Sequence, residues 1–292
     1  VPATRAACID VGSNTTALLV ADVSPEGLIA VETRRVFTML GSDASPSGIS
    51  AAKIDEVISA IKDLLALAES HGGADNLELV ATHVVREAHN GHELAAAVLE
   101  ATGHRLEMVD GHEEARFSFI GATGGLDRLR GTTVAIDAGG GSTEIAVCEP
   151  GGQPWTASVH IGSALIAREY LTSDPPTAEQ TSAAIAAAGA AFDEIELPTR
   201  PYLALVVGGG ASTASQLSGG VLDAGSIARV LQITNKLSSA ELAERHRLDA
   251  NRAKLLPAGL SILSALVERL GVGLEVGRGG LREGLLIDRH AA

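Results

Sequence analysis

The sequence predicts an α/β protein built twice over, two domains that each fold as a mixed sheet flanked by helices. Three observations predict it. The opening segment Ala7-Cys8-Ile9-Asp10-Val11-Gly12-Ser13-Asn14-Thr15-Thr16 is echoed by Val134-Ala135-Ile136-Asp137-Ala138-Gly139-Gly140-Gly141-Ser142-Thr143. Each is an apolar run ending in Asp, then a turn of Gly and small polar residues, then a second apolar run, Leu18-Leu19-Val20 or Ile145-Ala146-Val147. Strands in a group of three followed by helices, twice over, imply mixed sheets rather than a purely parallel one. At 292 residues the chain has room for two domains of ordinary size.

Strands are predicted near 6–11, 16–23 and 28–36, the first two joined by the Gly12–Thr15 turn. Ser50 to Ser70 reads as an amphipathic helix, because Ile54, Val57, Ile58, Ile61, Leu64, Leu65 and Ala68 recur at helical spacing. It stops at His71-Gly72-Gly73, a glycine stop signal. Leu77–Thr82 and Leu106–Val109 read as strands, Glu93–Thr102 and Glu113–Ala122 as helices, and Arg86 falls in the loop before the first of these helices. The second half opens after Thr123-Gly124-Gly125, with strands over 132–137, 143–149 and near 155–160, then helices around 163–171 and 177–192. A buried strand, Leu203–Val207, runs into Gly208-Gly209-Gly210, helices fill most of 225–270, and a short strand near 273–276 precedes a closing helix from Leu281. The domains are drawn at 1–123 and 124–292, with the last helix, about 281–290, free to pack back on the first.

Hydrophobic residues make up 46% of the chain but aromatics only 2%, so the cores must be aliphatic. The formal charge of -14 argues against nonspecific nucleic-acid binding, which needs a basic footprint. It also requires any anion site to be locally basic, or to use backbone N–H groups and a metal. Cys8 and Cys148 fall within strands and read as small hydrophobes rather than a disulfide or a nucleophile. The N-terminus lacks the pattern of a signal peptide, and no apolar run approaches the roughly 20 residues of a membrane span. A soluble, cytoplasmic protein is the expectation, and a homodimer is the commonest symmetric assembly for such a chain.

The turns carry the chemistry. Gly12, Ser13, Asn14 and Thr15, and again Gly139, Gly140, Gly141 and Ser142, cluster N–H donors and hydroxyls as a phosphate cradle needs. Asp137 at the mouth of its turn and Glu144 on the next strand suit a Mg²⁺ ion that keeps several waters, with Mn²⁺ as its substitute. Asp10 is the equivalent in the first hairpin. The same residues also suit plain hairpin turns, but the duplication favours two half-molecules gripping a phosphate chain.

Five segments, in this order, resemble the exopolyphosphatase/guanosine pentaphosphate phosphohydrolase family, within the actin, sugar-kinase and heat-shock-chaperone superfold. They are Ile9 to Thr15, Ala81-Thr82-His83-Val84-Val85-Arg86-Glu87-Ala88-His89-Asn90, Gly111-His112-Glu113-Glu114-Ala115-Arg116, Ile136 to Glu144, and Gly280-Leu281-Arg282-Glu283-Gly284-Leu285-Leu286. The resemblance implies two actin-like (ribonuclease H-like) domains with an active-site cleft between them. It implies release of terminal phosphate from inorganic polyphosphate of short to medium length, or cleavage of guanosine pentaphosphate. A kinase of the superfold, or a non-catalytic sensor of such ligands, is the reading of another class.

Paired acids opening a helix often only complement its dipole. The resemblance makes Glu114, the second of the pair, the base or water-orienting carboxylate, and Arg86 a phosphate clamp rather than a surface ion pair. Arg116 is open between a second clamp and a helix-surface pair. Gly208–Gly210 is open between close approach of a ligand and a strand-to-helix turn. Asn90 and Thr82 are read as shaping their loop, and the nine histidines show no paired metal spacing. Ala17 departs from relatives that carry Arg or His there, and the absence of further C-terminal helical domains resembles the short family members.

Overall fold

The computed structural model describes residues 3–43, 48–126 and 128–291. The chain divides into two compact units, one formed by Val1–Gly125 with Gly279–Ala292, the other by Leu126–Arg278.

In the first unit, β1 (Thr4–Val11), β2 (Thr16–Ser24) and β3 (Gly27–Val36) form an antiparallel meander. A short α1 (Leu40–Asp43) precedes α2 (Ala51–Ser70), which Ser50 caps by accepting from the Lys53 N–H at 3.3 Å. After the 3₁₀ turn Ala74–Asn76, β4 (Leu77–Ala81) pairs in parallel with β1. Then come α3 (His83–Glu87), α4 (Gly91–Thr102), the two-residue β5 (Glu107–Met108) and α5 (Gly111–Thr123). The sheet order is β3-β2-β1-β4-β5.

The second unit repeats that plan. Its strands are β6 (Thr133–Ala138), β7 (Thr143–Cys148), β8 (Trp155–Val159), β9 (Leu203–Val207) and β10 (Glu275–Val276). Their order, β8-β7-β6-β9-β10, and the direction of every pairing match the first sheet strand for strand. The helices are α6 (Ser163–Tyr170), α7 (Ala178–Phe192), α8 (Gly209–Ser218), α9 (Ala224–Thr234), α10 (Ser239–His246) and α11 (Ala250–Leu270). The duplication read from two ten-residue segments is thus a duplication of topology.

Each sheet alternates its faces. In the first, Ala7, Ile9, Val11, Leu18 and Val20 pack under α2 and α4, while Ala6, Cys8, Leu19 and Ala21 pack with Phe117 of α5 and Leu281, Leu285 and Leu286 of α12 (Leu281–His290). In the second, Ile136, Ile145 and Val206 join a core dominated by α7 and α11. Cys8 and Cys148 are both free thiols, as small hydrophobes should be. Burial first, then the Asp10 carboxylate, pushes the Cys8 thiol well above its ordinary range.

The closing helix α12 packs on α5, β1 and β2 of the first unit although it is the last element of the chain. Glycines let the two helix backbones touch: a Cβ on Gly284 would lie 1.7 Å from the Phe117 carbonyl oxygen, and one on Gly121 would lie 2.1 Å from that of Gly280. Ion pairs also hold α12, from Arg116 of α5 and to Glu107 and Glu78 of β5 and β4. Arg116 forks onto Asp288 at 2.6 and 3.0 Å, and Arg289 binds Glu107 at 2.8 and 3.0 Å and also Glu78.

Two differences from the sequence reading concern short elements. His83–Glu87 is a one-turn helix where a loop was expected, so Arg86 is helical. The expected strands Leu106–Val109 and 273–276 shrink to two residues each, because only two positions of each pair with the neighbouring strand, Glu107 and Met108 with β4 and Glu275 and Val276 with β9.

Two outcomes follow from the α5–α12 contact. Gly284→Ala should destabilise the protein by about 1–3 kcal/mol in urea unfolding, through overpacking against a backbone that cannot move aside. Arginine hydrogen bonds hold the Asp288 and Glu107 carboxyls below their usual range. A carboxylate lowered on folding stabilises above its unfolded pKa, about 4, and loses that contribution as pH falls through the lower folded value. Asp288→Asn should therefore lower Tm at neutral pH, and the gap to the wild type should close under acid conditions.

Candidate functional site

Both hairpin turns are closed in the same way. Gly12 N–H donates to Thr15 O at 2.9 Å, and Gly139 N–H donates to Ser142 O at 3.0 Å. Their carbonyls are bonded by the segment that follows the third strand of each sheet. In the first unit, Gly41 N–H donates to Ser13 O at 2.7 Å and Met39 N–H to Asn14 O at 3.0 Å. In the second, Ser163 N–H donates to Gly139 O at 2.9 Å and Ala164 N–H to Gly140 O at 2.8 Å. In a trans peptide the C=O and the following N–H point in opposite directions. The amides of Asn14 and Thr15, and of Gly140 and Gly141, are therefore aimed away from the packing that holds their turns. Consecutive amides presented together form an anion-binding concavity. Ser13 and Ser142 are buried beside them, and Thr15 is half-buried.

The register brings acids together in the second unit alone. Asp137 lies directly opposite Glu144, whereas Asp10, its counterpart, lies opposite Ala17. Two carboxylates on one face of neighbouring strands repel unless a cation or proton lies between them. Glu144 is only 1% exposed and accepts from Ser158 Oγ on β8 at 2.7 Å. Gly208, at the end of β9, borders the same place: a Cβ there would lie 3.4 Å from Asp137 Oδ1. This donor set fits a hard cation that takes oxygen ligands and retains waters. It is a pair rather than a cage, and among the described residues no group of three or more His, Cys, Asp or Glu could hold a metal. Asp10 is half-buried at the mouth of the first hairpin.

At the start of α5 the two neighbouring acids have different surroundings. Asp110 is the N-cap, accepting from the His112 and Glu113 amides at 2.8 and 2.9 Å, and Glu113 reaches back to the Asp110 N–H at 3.3 Å. Glu113 is exposed and closes this capping box, whereas Glu114 is 7% exposed. Arg86 Nη1 lies 3.6 Å from Glu114 Oε2 and donates to the Val109 carbonyl at 2.5 Å. The one-turn helix α3 and the start of α5 thus place a guanidinium and a carboxylate side by side in the first unit.

Arg116, Asn90 and Gly208 each have a structural place. Arg116 is a helix-surface pair with Asp288. Asn90 ties down Ile49, accepting from its N–H at 2.7 Å and donating to its carbonyl at 2.9 Å. Gly208 is the N-cap of α8 with a φ of 99°, so the strand-to-helix turn itself requires glycine. Ser158 was invisible to sequence reading. No motif marks it, and only strand pairing brings it to Glu144.

Residues 19–291 match the Ppx/GppA phosphatase family. Exopolyphosphatase 1 of Mycobacterium leprae is 26% identical over 301 residues, 97% of this chain and 88% of that protein. A guanosine-5'-triphosphate,3'-diphosphate pyrophosphatase of Aeromonas hydrophila is 28% identical over 222 residues, 73% of this chain and 45% of its own length. Among solved structures, the PPX-GPPA enzyme of Aquifex aeolicus superposes with a TM-score of 0.80 at 26% identity, covering 99% of this chain and all of that one.

Because Asp110 is the N-cap and Glu113 only closes the capping box, the two should differ in what they contribute to stability. Asp110→Ala, which removes the cap, should cost about 1 kcal/mol of stability in urea unfolding. Glu113→Gln, which keeps a capping-box acceptor, should leave the unfolding midpoint close to the wild-type value.

Proposed function

The chain belongs to the Ppx/GppA phosphatase family, and from that premise we propose that it is an exopolyphosphatase releasing terminal orthophosphate from short to medium inorganic polyphosphate. The observation that carries this reading is the opposed pair Asp137 and Glu144 beside a turn whose amides face outward. A phosphoanhydride substrate presents several charged oxygens and needs donors for them, charge neutralisation and an oriented water.

In this reading the amides and hydroxyls of Gly12–Thr15 and Gly139–Ser142 hold the phosphoryl oxygens, with Arg86 as a clamp whose fork matches two oxygens. Asp137 and Glu144 would hold Mg²⁺ or Mn²⁺, with Asp10 as the acid of the first mouth. The bound ion would neutralise charge developing on the phosphoryl oxygens. Glu114 accepts a hydrogen bond from the attacking water and aims it at the terminal phosphorus. The P–O bond to the bridging oxygen breaks, the water proton passes to Glu114 or to solvent, and the products are orthophosphate and a chain one unit shorter. Oriented water matters more here than a strong base, so a carboxylate suffices.

Guanosine pentaphosphate is the second substrate reading, supported by the likeness to the Aeromonas enzyme. Ala17 lacks the basic group that could face a nucleotide or a distal phosphate, which bears equally on guanosine and on long-polymer recognition. No described helix is long and apolar enough to cross a membrane.

Phosphate release from tripolyphosphate, longer polyphosphate, guanosine pentaphosphate and ATP, measured in parallel with Mg²⁺, should be fastest on polyphosphate. Faster release from guanosine pentaphosphate would reverse the order of the two readings. Glu114→Gln should lower kcat by about 10²–10⁴-fold while the protein stays folded. Full activity in that variant removes Glu114 from the mechanism.

A further inference from the structure

We propose that Ser158 is a positioning residue for the metal seat, acting through Glu144. The inference rests on the reading of Asp137 and Glu144 as metal ligands. Three adjacent strands put Asp137, Glu144 and Ser158 in one row: Asp137 faces Glu144 across β6 and β7, and Glu144 faces Ser158 across β7 and β8. The Ser158 Oγ–H donates to Glu144 Oε1 at 2.7 Å. Glu144 is almost wholly buried while Ser158 is exposed, so the hydroxyl meets the carboxylate from the open side of the row.

A carboxylate on a strand can rotate about its last torsion, and a hydroxyl has one proton to give. By holding Oε1 toward β8, Ser158 turns the other oxygen to the Asp137 side. Thr143 Oγ1 also donates to the Ile161 carbonyl at 2.6 Å, tying β7 to the chain leaving β8 beside the Glu144–Ser158 pair. Partners of this kind tune affinity by fixing the orientation of a ligand, and their loss costs about 10–100-fold in metal binding.

The test is Mn²⁺ titration of the full chain, followed by electron paramagnetic resonance of the free ion, for the wild type, Ser158→Ala, Ser158→Thr and Glu144→Gln. Ser158→Ala should weaken binding about 10–100-fold. Ser158→Thr, which keeps the hydroxyl, should restore it, and metal-free Tm should be the same in all three Ser158 forms. If Ser158→Ala binds Mn²⁺ like the wild type while Glu144→Gln does not, Ser158 has no positioning role. If the Ala variant loses affinity only together with its metal-free Tm, the hydroxyl is structural and the proposal falls. If Glu144→Gln binds like the wild type, or the wild type binds no Mn²⁺, the metal seat itself is wrong and Ser158 falls with it.

Discussion

A carbonyl bonded toward the protein interior obliges the amide after it to face the other way. Both hairpin turns are governed by that constraint. Met39 and Gly41 in one unit, and Ser163 and Ala164 in the other, donate to turn carbonyls and so aim the next amides outward. The two devices are offset by one position. The first holds Ser13 and Asn14, the equivalents of Gly140 and Gly141, while the second holds Gly139 and Gly140. The same function of presenting two amides is therefore met by different residues in the two halves. The side chains in the turns add hydroxyls, but the backbone does the presenting.

The placement of the acids depends on a second constraint, strand register. Equivalent hairpins in equivalent sheets carry Asp10 opposite Ala17 and Asp137 opposite Glu144. At this position the halves differ by one carboxylate, and in the proposed reading the second carries the cation seat. A one-residue slip between β6 and β7 would put Glu144 on the opposite face from Asp137, and one between β7 and β8 would part it from Ser158. The bond from Thr143 to Ile161 ties β7 to the chain leaving β8, on the side where Ser158 meets Glu144.

Glu114 depends on a third. Its helix is held to the sheet face by Phe117 and to α12 by backbone contact through Gly121 and Gly284. The last element of the chain therefore braces the helix that carries the proposed water-orienting acid. The ion pairs of Arg116 and Arg289 are partly exposed, so their contribution is modest. The close packing is the stronger tie.

The sequence by itself determined the two-fold plan, the three-strand meanders and the positions of both turns. These are local: apolar runs of strand length, Gly-rich turns and helical periodicity all act within a dozen residues. It left Glu113 and Glu114 equivalent as helix-opening acids, and left Arg116 and Gly208 with two readings each. The family resemblance alone chose Glu114. Tertiary structure gave the two acids different surroundings, Arg116 its Asp288 partner and Gly208 its positive φ, because these arise from residues distant in the chain or from backbone geometry that composition does not record. Ser158 is the limiting case. Fourteen residues separate it from Glu144, and nothing but the pairing of β7 with β8 makes the two neighbours.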